Sequence, residues 1–286
     1  MVIWDRKKGV HIVEPDRQDA LLKVLYQTVP GRIILKLVVV RPWFSKLGGL
    51  YQKSRWSKKN IKPFVEKYNI DVSEVDLDSL KSFNDFFHRK KTIDITDHDE
   101  KHLLAIADSK LSVFKITEDL ELQIKDSVYT LSDIVGHRVK VENFKNGTCL
   151  VFRLTVDDYH RYHCVDNLVV KDNYVIKGEF HTVRPISEKY QIYKRNHREI
   201  SIMETENFGD VVQVEVGATL VGCIQNNKKN EFKKMEERGY FEYGGSTIIL
   251  LLNENVEIDK DLIVKTQMKT ESKVRIGEKI GQVRVK

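Results

Sequence analysis

The sequence predicts an α+β protein in which an N-terminal helical arm lies over a β-rich core. Helix signals dominate the first third of the 286 residues, and short aliphatic runs separated by Asn, Asp and Gly dominate the rest. No repeat, low-complexity segment or long linker interrupts the chain, and its length allows a full hydrophobic core. We therefore place a helical arm at 1–95 and a β-rich domain at 96–286.

Start and stop signals for helices occur throughout the arm. Asp16 can cap a helix that runs to about Gln27, where a Pro-Gly pair follows and ends it. Residues 61–90 are also expected to be helical, with Ser82 and Asp85 as an N-cap pair. The apolar face of the first helix is expected to consist of Ala20, Leu21, Val24 and Leu25.

The β-rich domain contains five short runs of the length and composition of strands. The last run follows two adjacent glycines and a serine, which mark a sharp turn or a close approach of the backbone by another group. By itself this pattern is also typical of an ordinary turn into a core strand. The predicted strands are Leu111–Ile116, Cys149–Leu154, Leu168–Ile176, Val211–Val216 and Thr247–Leu252.

The net charge of +6 is unevenly distributed along the chain. Residues 1–62 hold 14 Lys and Arg against 4 Asp and Glu, a net charge of +10, so the remaining residues carry −4. The apolar run Ile33–Val40 is too short to span a bilayer, but Trp43, Phe44 and Trp56 follow it among basic residues. This pattern is typical of an interfacial segment on an anionic membrane. A helical hairpin packed on the core explains it equally well, and no nucleic-acid-binding module is recognised.

Three cysteines, Cys149, Cys164 and Cys223, form neither a disulfide framework nor a zinc-binding spacing. Their odd number favours a reducing compartment. The N-terminus has no secretory signal, because its basic residues lead into polar sequence instead of an apolar segment. The composition therefore favours an intracellular protein without a metal site.

Asp108, His163 and Ser246 are the residue types of an activated nucleophile. A histidine removes the proton of the hydroxyl group, and a carboxylate orients the histidine. Asp108 follows an apolar run, and His163 lies in a segment that places His160, Arg161 and His163 within four positions. Such triples also arise by chance, and a lone histidine is more often a packed or surface residue. The Gly-x-Ser-x-Gly motif of many serine hydrolases is absent around Ser246.

Several of these segments together resemble bacterial phosphatidylserine decarboxylases. The resemblance covers most of residues 60–286 in the family's order, and the combination of Tyr-His-Arg-x-His with Gly-Ser-Thr is highly specific. The matching motifs are Phe83-Asn84-Asp85-Phe86-Phe87-His88-Arg89, Asp158-Tyr159-His160-Arg161-Tyr162-His163, His181-Thr182-Val183-Arg184-Pro185-Ile186, Glu206-Asn207-Phe208-Gly209-Asp210, Glu215-Val216-Gly217-Ala218-Thr219-Leu220-Val221-Gly222 and Gly239-Tyr240-Phe241-Glu242-Tyr243-Gly244-Gly245-Ser246-Thr247.

The resemblance implies a proenzyme that cuts itself. Ser246 attacks the carbonyl of Gly245, the resulting ester eliminates, and Ser246 becomes a covalent pyruvoyl group. The products are a chain of residues 1–245 and a 41-residue chain that remain associated. Asp108 and His163 are implied as the orienting residue and the base. Glycine at 245 suits this step because it lacks a Cβ that would hinder the hydroxyl group.

The resemblance further implies that the pyruvoyl carbonyl condenses with the amine of phosphatidylserine and accepts electrons as CO2 leaves. The product is phosphatidylethanolamine. His160 is the candidate proton donor, and Arg161 is the candidate partner of the lipid phosphate, although an internal ion pair is an equal alternative for it. The basic arm would hold the enzyme on the cytoplasmic face of the cell membrane as a peripheral protein. Association into homodimers stays open.

The chain departs from the family pattern at several positions. Ser109 follows Asp108 where the family has glycine, and Arg184 stands where asparagine is common. The basic Lys-x-x-x-Arg-Pro pattern that the family has after Phe-Phe-x-Arg is only partly present after Arg89. Two alternatives therefore stay open: a pyruvoyl decarboxylase for another amino-acid-headed lipid or a soluble amino acid, and a non-catalytic lipid-binding relative. The segment Val274–Gly281 is similar to the β-turn region of lipoyl- and biotinyl-type folded sheets, which fits the family's core.

Overall fold

The computed structural model describes residues 2–13, 20–124, 127–219, 224–243 and 246–284. Within these ranges the chain has helices and a large mixed β-sheet, so the predicted α+β class is confirmed. The strands are β1 (Val2–Asp5), β2 (Val10–Val13), β3 (His102–Leu104), β4 (Ser109–Lys115), β5 (Glu121–Ile124), β6 (Ser127–Thr130), β7 (Thr148–Leu154), β8 (Arg161–His163), β9 (Leu168–Ile176), β10 (Arg198–Thr205), β11 (Gly209–Val216), β12 (Ile224–Asn226), β13 (Glu231–Phe232), β14 (Glu237–Phe241), β15 (Ser246–Leu252), β16 (Val256–Ile258), β17 (Glu271–Val274) and β18 (Lys279–Val283).

The helices lie mainly in the first third of the chain. A π-helical turn, Leu35–Val39, continues the second helix, and 3-10 helices span Arg55–Asn60, Val141–Phe144 and Pro185–Tyr190. The α-helices are α1 (Ala20–Gln27), α2 (Val29–Ile34), α3 (Pro42–Lys53), α4 (Ile61–Tyr68), α5 (Phe83–Phe87), α6 (Leu131–Val135), α7 (Ile192–Arg195) and α8 (Lys260–Gln267).

The main sheet has ten strands in the order β13-β9-β10-β11-β15-β7-β4-β17-β1-β2. All five predicted strands are confirmed within it, as β4, β7, β9, β11 and β15. Strand β15 lies at its centre between β11 and β7, and all seven of its residues are buried. A run of aliphatic residues without polar alternation is what a strand buried on both faces requires. The serine at its start is therefore fixed at the middle of the sheet.

Two three-stranded sheets bring other segments to the start of β15. One has the order β12-β14-β8 and holds the histidine-bearing strand β8. The other has the order β16-β18-β3, and the turn between β17 and β18 packs against the end of β3. Gly277 in this turn has φ +81°, and a Cβ there would lie 2.7 Å from the Ile95 side chain. Glycine therefore allows the turn to approach the segment that precedes Asp108.

Residues 2–13 differ from the expectation of a helical arm that begins at residue 1. They form a hairpin in which β1 pairs in parallel with β17 and β2 pairs with β1. Short runs rich in Val and Ile on either side of Gly9, which has φ +65°, were the signal in the sequence. The helices of the arm occupy residues 20–87, and a domain boundary near residue 95 stays a prediction.

The predicted helical segments are partly confirmed. The first ends at Gln27 as expected, but Asp16, its predicted cap, lies outside the described residues. Of residues 61–90, only α4 and α5 are helical, because Asp- and Ser-rich turns occupy the sequence between them. The Ser82 hydroxyl accepts the N–H of Asp85 at 3.2 Å, which confirms this N-cap.

The apolar face predicted for α1 is divided between the protein interior and the surface. Leu25 packs with Tyr26, Leu35 and Val40, whereas Leu21 and Val24 are 65% and 51% exposed. Among the described residues, no helix has both the length and the apolar character needed to cross a membrane.

Candidate active site

Ser246 is the first residue of β15 and is fully buried. It pairs with Leu154 of β7, and its Oγ has no hydrogen-bond partner among the residues that the structure describes. Buried hydroxyl groups normally find a partner, so an unpartnered one at this position is a feature of functional interest. Gly244 and Gly245, the second of which is the predicted target of Ser246, lie outside the described residues.

Asp108 lies between the buried segment after β3 and the start of β4. Its Oδ1 accepts the backbone N–H of Ile276 at 2.8 Å, a contact made by the turn between β17 and β18. Its Oδ2 forms an ion pair with Lys91 at 2.5 Å. Lys91 lies in the segment after Arg89 in which the family's basic pattern is only partly present. The residues next to Lys91 in the sequence gave no signal for its contact with Asp108. Asp108 is therefore oriented by one backbone donor and one cation.

His163 ends strand β8 and is 6% exposed. Its backbone N–H donates to the carbonyl of Ile106 at 2.9 Å, which fixes β8 beside the Asp108 segment. Burial, with the charges of Arg161 and Lys91, lowers the pKa of His163 to about 4, while Asp108 acts in the opposite direction. The imidazole is thus neutral near pH 7, and within the described ranges its Nδ1 has no hydrogen-bond partner. A neutral, unpartnered ring nitrogen can accept a proton.

Asp108 and His163 are neighbours without a direct hydrogen bond between them in the part of the chain that the structure describes. Asp108 uses its two oxygens on Ile276 and Lys91, and it acts on His163 through electrostatic attraction. Ser246 is likewise not hydrogen-bonded to His163. The described residues therefore show no hydrogen bond among the three members of the predicted triad, which stays a prediction.

His160 is completely buried in the loop before β8. Its Nδ1 lies 2.9 Å from the carbonyl oxygen of Asp158, so Nδ1 donates and Nε2 keeps its lone pair. Its ring contacts the ring of Phe87 with centroids 3.9 Å apart. Burial and the charge of Arg89 lower the pKa of His160 to about 3, and no described residue forms a hydrogen bond with its Nε2. His160 is therefore a neutral base in this state rather than a charged donor.

The side chain of Arg161 is engaged by protein groups. It pairs with Glu237 at 2.6 Å, donates to the carbonyl of His88 at 2.8 Å and lies over the ring of Tyr240. The Arg161–Glu237 pair is the internal ion pair that the sequence analysis left open as an alternative to a contact with the lipid phosphate. A contact between Arg161 and the lipid phosphate stays a prediction.

Comparison with known proteins identifies the family. The family model for phosphatidylserine decarboxylase matches residues 83–282. The chain belongs to the phosphatidylserine decarboxylase family. It is 45% identical to phosphatidylserine decarboxylase proenzyme 2 of Clostridium acetobutylicum, over 99% of this chain and 98% of the relative. Phosphatidylserine decarboxylase proenzymes of Clostridium kluyveri and Ruminiclostridium cellulolyticum are each 39% identical over at least 96% of both chains.

Membership of the phosphatidylserine decarboxylase family makes the chain a carboxy-lyase, as the sequence predicts. The matched region includes Asp108, both histidines of the Tyr-His-Arg-x-His motif and Ser246. The strands β1 and β2 and the helices α1–α4 precede this region, but the relatives match them as part of nearly full-length alignments.

Proposed function

We propose that this protein decarboxylates phosphatidylserine to phosphatidylethanolamine with a pyruvoyl group that it makes from Ser246. The observation that supports the proposal most is the buried, unpartnered Oγ of Ser246 at the start of β15. It follows a glycine pair and lies in a chain with two neutral, buried histidines. Membership of a family of decarboxylase proenzymes agrees with it.

In the proposed maturation, His163 takes the proton of Ser246, and Oγ attacks the carbonyl carbon of Gly245. The bond from Gly245 to the nitrogen of Ser246 breaks as the ester forms, and that nitrogen takes the proton from His163. A base then removes the α-proton of residue 246, and the carboxylate of Gly245 leaves from Cβ. Water replaces the nitrogen with oxygen and releases ammonia, which leaves the ketone of the pyruvoyl group.

The neutral state of His163 supports its role as the base, since a general base must be unprotonated at the working pH. Asp108 stabilises the imidazolium that forms after proton transfer, because an opposite charge nearby favours the charged form. The contacts of Asp108 to Ile276 and Lys91 hold its carboxylate beside β8 for this purpose.

The architecture supports the proposal that the two products stay associated. The short chain would begin with β15, whose hydrogen bonds run to β11 on one side and β7 on the other. It would also contribute β17 to the same sheet and β18 to a second one. Cutting one peptide bond before β15 leaves all of these pairings in place.

When present, the pyruvoyl group supplies an electron sink for the pair of electrons left behind by CO2. The residues around it must move protons. In the proposal, His160 protonates the carbon that has lost CO2, with Nε2 as the atom that carries the proton. A histidine with so low a pKa is a strong acid once protonated, so this transfer to the carbanion is favourable.

We further propose that the lipid phosphate replaces Glu237 on Arg161. The side chain of Glu237 is 37% exposed, whereas that of Arg161 is 8% exposed. A partly exposed carboxylate held by one contact can be exchanged for a phosphate, which guanidinium can bind in a bidentate manner. In this proposal the internal ion pair keeps Arg161 in place until substrate arrives.

Peripheral attachment to the cytoplasmic face of an anionic membrane completes the proposal. Large apolar side chains are exposed along α1, α2, the π-helical turn, α3 and the next 3-10 helix, where lysines and arginines are also frequent. Soluble proteins rarely expose so many apolar side chains in one region unless it binds something. The side chains are Leu21, Val24, Val29, Ile33, Ile34, Leu37, Trp43, Leu47, Leu50, Tyr51 and Trp56.

Intact-mass spectrometry of the purified protein, followed by a CO2-release assay, tests the proposed function. We expect two fragments, the smaller with residues 246–286 and a carbonyl-reactive N-terminus, which separate only after denaturation. We expect CO2 from phosphatidylserine in mixed micelles and none from free serine. An uncut chain would support the non-catalytic alternative, and release from free serine alone would support the soluble-substrate alternative.

A further inference from the structure

A buried ion pair lies next to His160 and has no role in the chemistry described so far. The Nζ of Lys110 lies 2.8 Å and 2.7 Å from the two carboxylate oxygens of Asp158. Each side chain is only 4% exposed. Burial alone would lower the pKa of Lys110, but Asp158 raises it above its ordinary value, so the lysine stays charged.

The same carboxylate also closes the loop that holds His160. The Oδ2 of Asp158 accepts the backbone N–H of Thr155 at 2.7 Å and its hydroxyl group at 2.9 Å. Lys110 also donates to the hydroxyl group of Thr155. Lys110 therefore links the loop between β7 and β8 to strand β4. The carboxylate of Asp158 closes the loop by accepting hydrogen bonds from Thr155.

The closed loop presents the carbonyl of Asp158 to His160. Nδ1 of His160 donates to that carbonyl at 2.9 Å, and the backbone carbonyl of His160 accepts the N–H of Phe241 at 2.9 Å. Phe87 covers the ring on one face. The hydrogen bond that one ring nitrogen of a histidine makes determines which of the two nitrogens carries the proton. The position of the Asp158 carbonyl thus decides that Nε2 is bare.

We propose that the Lys110–Asp158 ion pair is a positioning device that fixes the tautomer and orientation of His160 for decarboxylation. The inference rests on the proposed function for its catalytic consequence, but the tautomer of His160 can be measured without any activity. In this proposal Lys110 and Asp158 contact each other and Thr155, and they are not assigned a contact with substrate. They act through the loop backbone, so they are positioning residues rather than catalytic ones.

Removing only one partner would leave a buried charge unpaired and would destabilise the fold. The main variant is therefore the neutral double substitution Lys110→Met, Asp158→Asn. Lys110→Arg keeps the charge and serves as the conservative rescue. The matched control is Arg153→Met, Glu271→Gln, which neutralises a second buried ion pair with side chains 6% and 5% exposed. Arg153 pairs in register with Lys110, but its ion pair is with Glu271 of β17 instead of the His160 loop.

The first measurement is the ¹⁵N spectrum of the histidine rings, with His160 assigned from the signals lost in His160→Gln. We expect a single neutral tautomer protonated at Nδ1 in the wild type, in Lys110→Arg and in the control. The neutral double variant should show a mixture of tautomers. The second measurement is kcat and KM for phosphatidylserine on the fully matured fraction. A misplaced catalytic group can cost about 10²-fold, so we expect kcat to fall by roughly that factor with KM little changed.

A double variant with the wild-type tautomer, or with the kcat of the control, would overturn the proposal. If the double variant does not fold, Thr155→Val loosens the same loop without leaving a charge unpaired, and it should shift the tautomer in the same direction. A wild type that releases no CO2 from phosphatidylserine would refute the proposed function, whereas the tautomer measurement would still decide the role of the ion pair.

Discussion

At the scale of single residues, the buried hydroxyl group of Ser246 is the most informative. We expect Ser246→Ala to remain a single chain, because no oxygen is left to attack the preceding carbonyl. Ser246→Thr should still be cut, since it keeps a hydroxyl group on Cβ. Ser272→Ala is the matched control, because Ser272 is also fully buried with an unpartnered Oγ but lies in β17. Intact-mass spectrometry measures the result, and a cut Ser246→Ala chain would contradict the assignment.

Lys91 adds a residue-scale prediction about the pH dependence of maturation. Lys91 lowers the pKa of His163, and Asp108 raises it. His163 acts as a base only when neutral, so maturation of the wild-type precursor should slow at acid pH with a midpoint near its pKa of about 4. In Lys91→Met, the pKa of His163 should rise, and the acid midpoint should move to higher pH.

Cell-free synthesis of the precursor at a series of pH values measures this midpoint. Lys90→Met is the matched control, because Lys90 is the exposed neighbour in sequence. A midpoint that moves equally in both variants would refute a specific action of Lys91 on His163. His163→Ala should slow maturation at every pH, since general-base help typically contributes about 10²–10⁴-fold.

At the scale of elements, the exposed helices of the arm predict membrane binding with two separable components. Each Lys or Arg near an anionic surface contributes about 1 kcal/mol, and this part weakens with salt. Trp43 and Trp56, which are 50% and 79% exposed, should supply a salt-resistant part. Phe44 is unsuitable for this test, because it packs against the cluster of Leu25, Tyr26 and Leu35.

Co-sedimentation with neutral and anionic vesicles across a salt series separates the two components. We expect Trp43→Ala, Trp56→Ala to lose the salt-resistant part only. The control, Val128→Ala, Met268→Ala, alters side chains that are 52% and 63% exposed outside the arm. Equal binding to neutral and anionic vesicles would contradict the electrostatic component, and equal losses in the two double variants would contradict the apolar one.

Strand β15 was predictable because it contains a continuous apolar run, and burial on both faces leaves such a run few alternatives. The hairpin at residues 2–13 was missed, because its pairing with β17 is a contact between the two ends of the chain. The residue types of the site were predictable from the motifs. The contacts of Lys91 and Lys110 were not, since they depend on how β4, β8 and the loops meet in space.

At the scale of the whole molecule, the two buried histidines predict a loss of stability in acid. His160 and His163 have pKa values of about 3 and about 4 in the folded protein, below the ordinary value of 6.5. Below pH 6.5 the unfolded chain binds protons at these positions and the folded chain does not. The free energy of unfolding therefore falls as the pH is lowered from 6.5 towards 4, with a slope of about 1.4 kcal/mol per pH unit for each histidine at most.

Urea unfolding between pH 7.5 and 4.5 tests this in the Ser246→Ala background, where a single uncut chain keeps unfolding unimolecular. Adding His160→Gln should make the free energy of unfolding less dependent on pH, because one proton fewer is taken up by the unfolded chain. Adding His137→Gln should not, because His137 is exposed in the folded protein. The two added substitutions must differ in slope. An equal pH dependence would mean that His160 is already protonated in the folded protein, and its Nε2 would then not be bare.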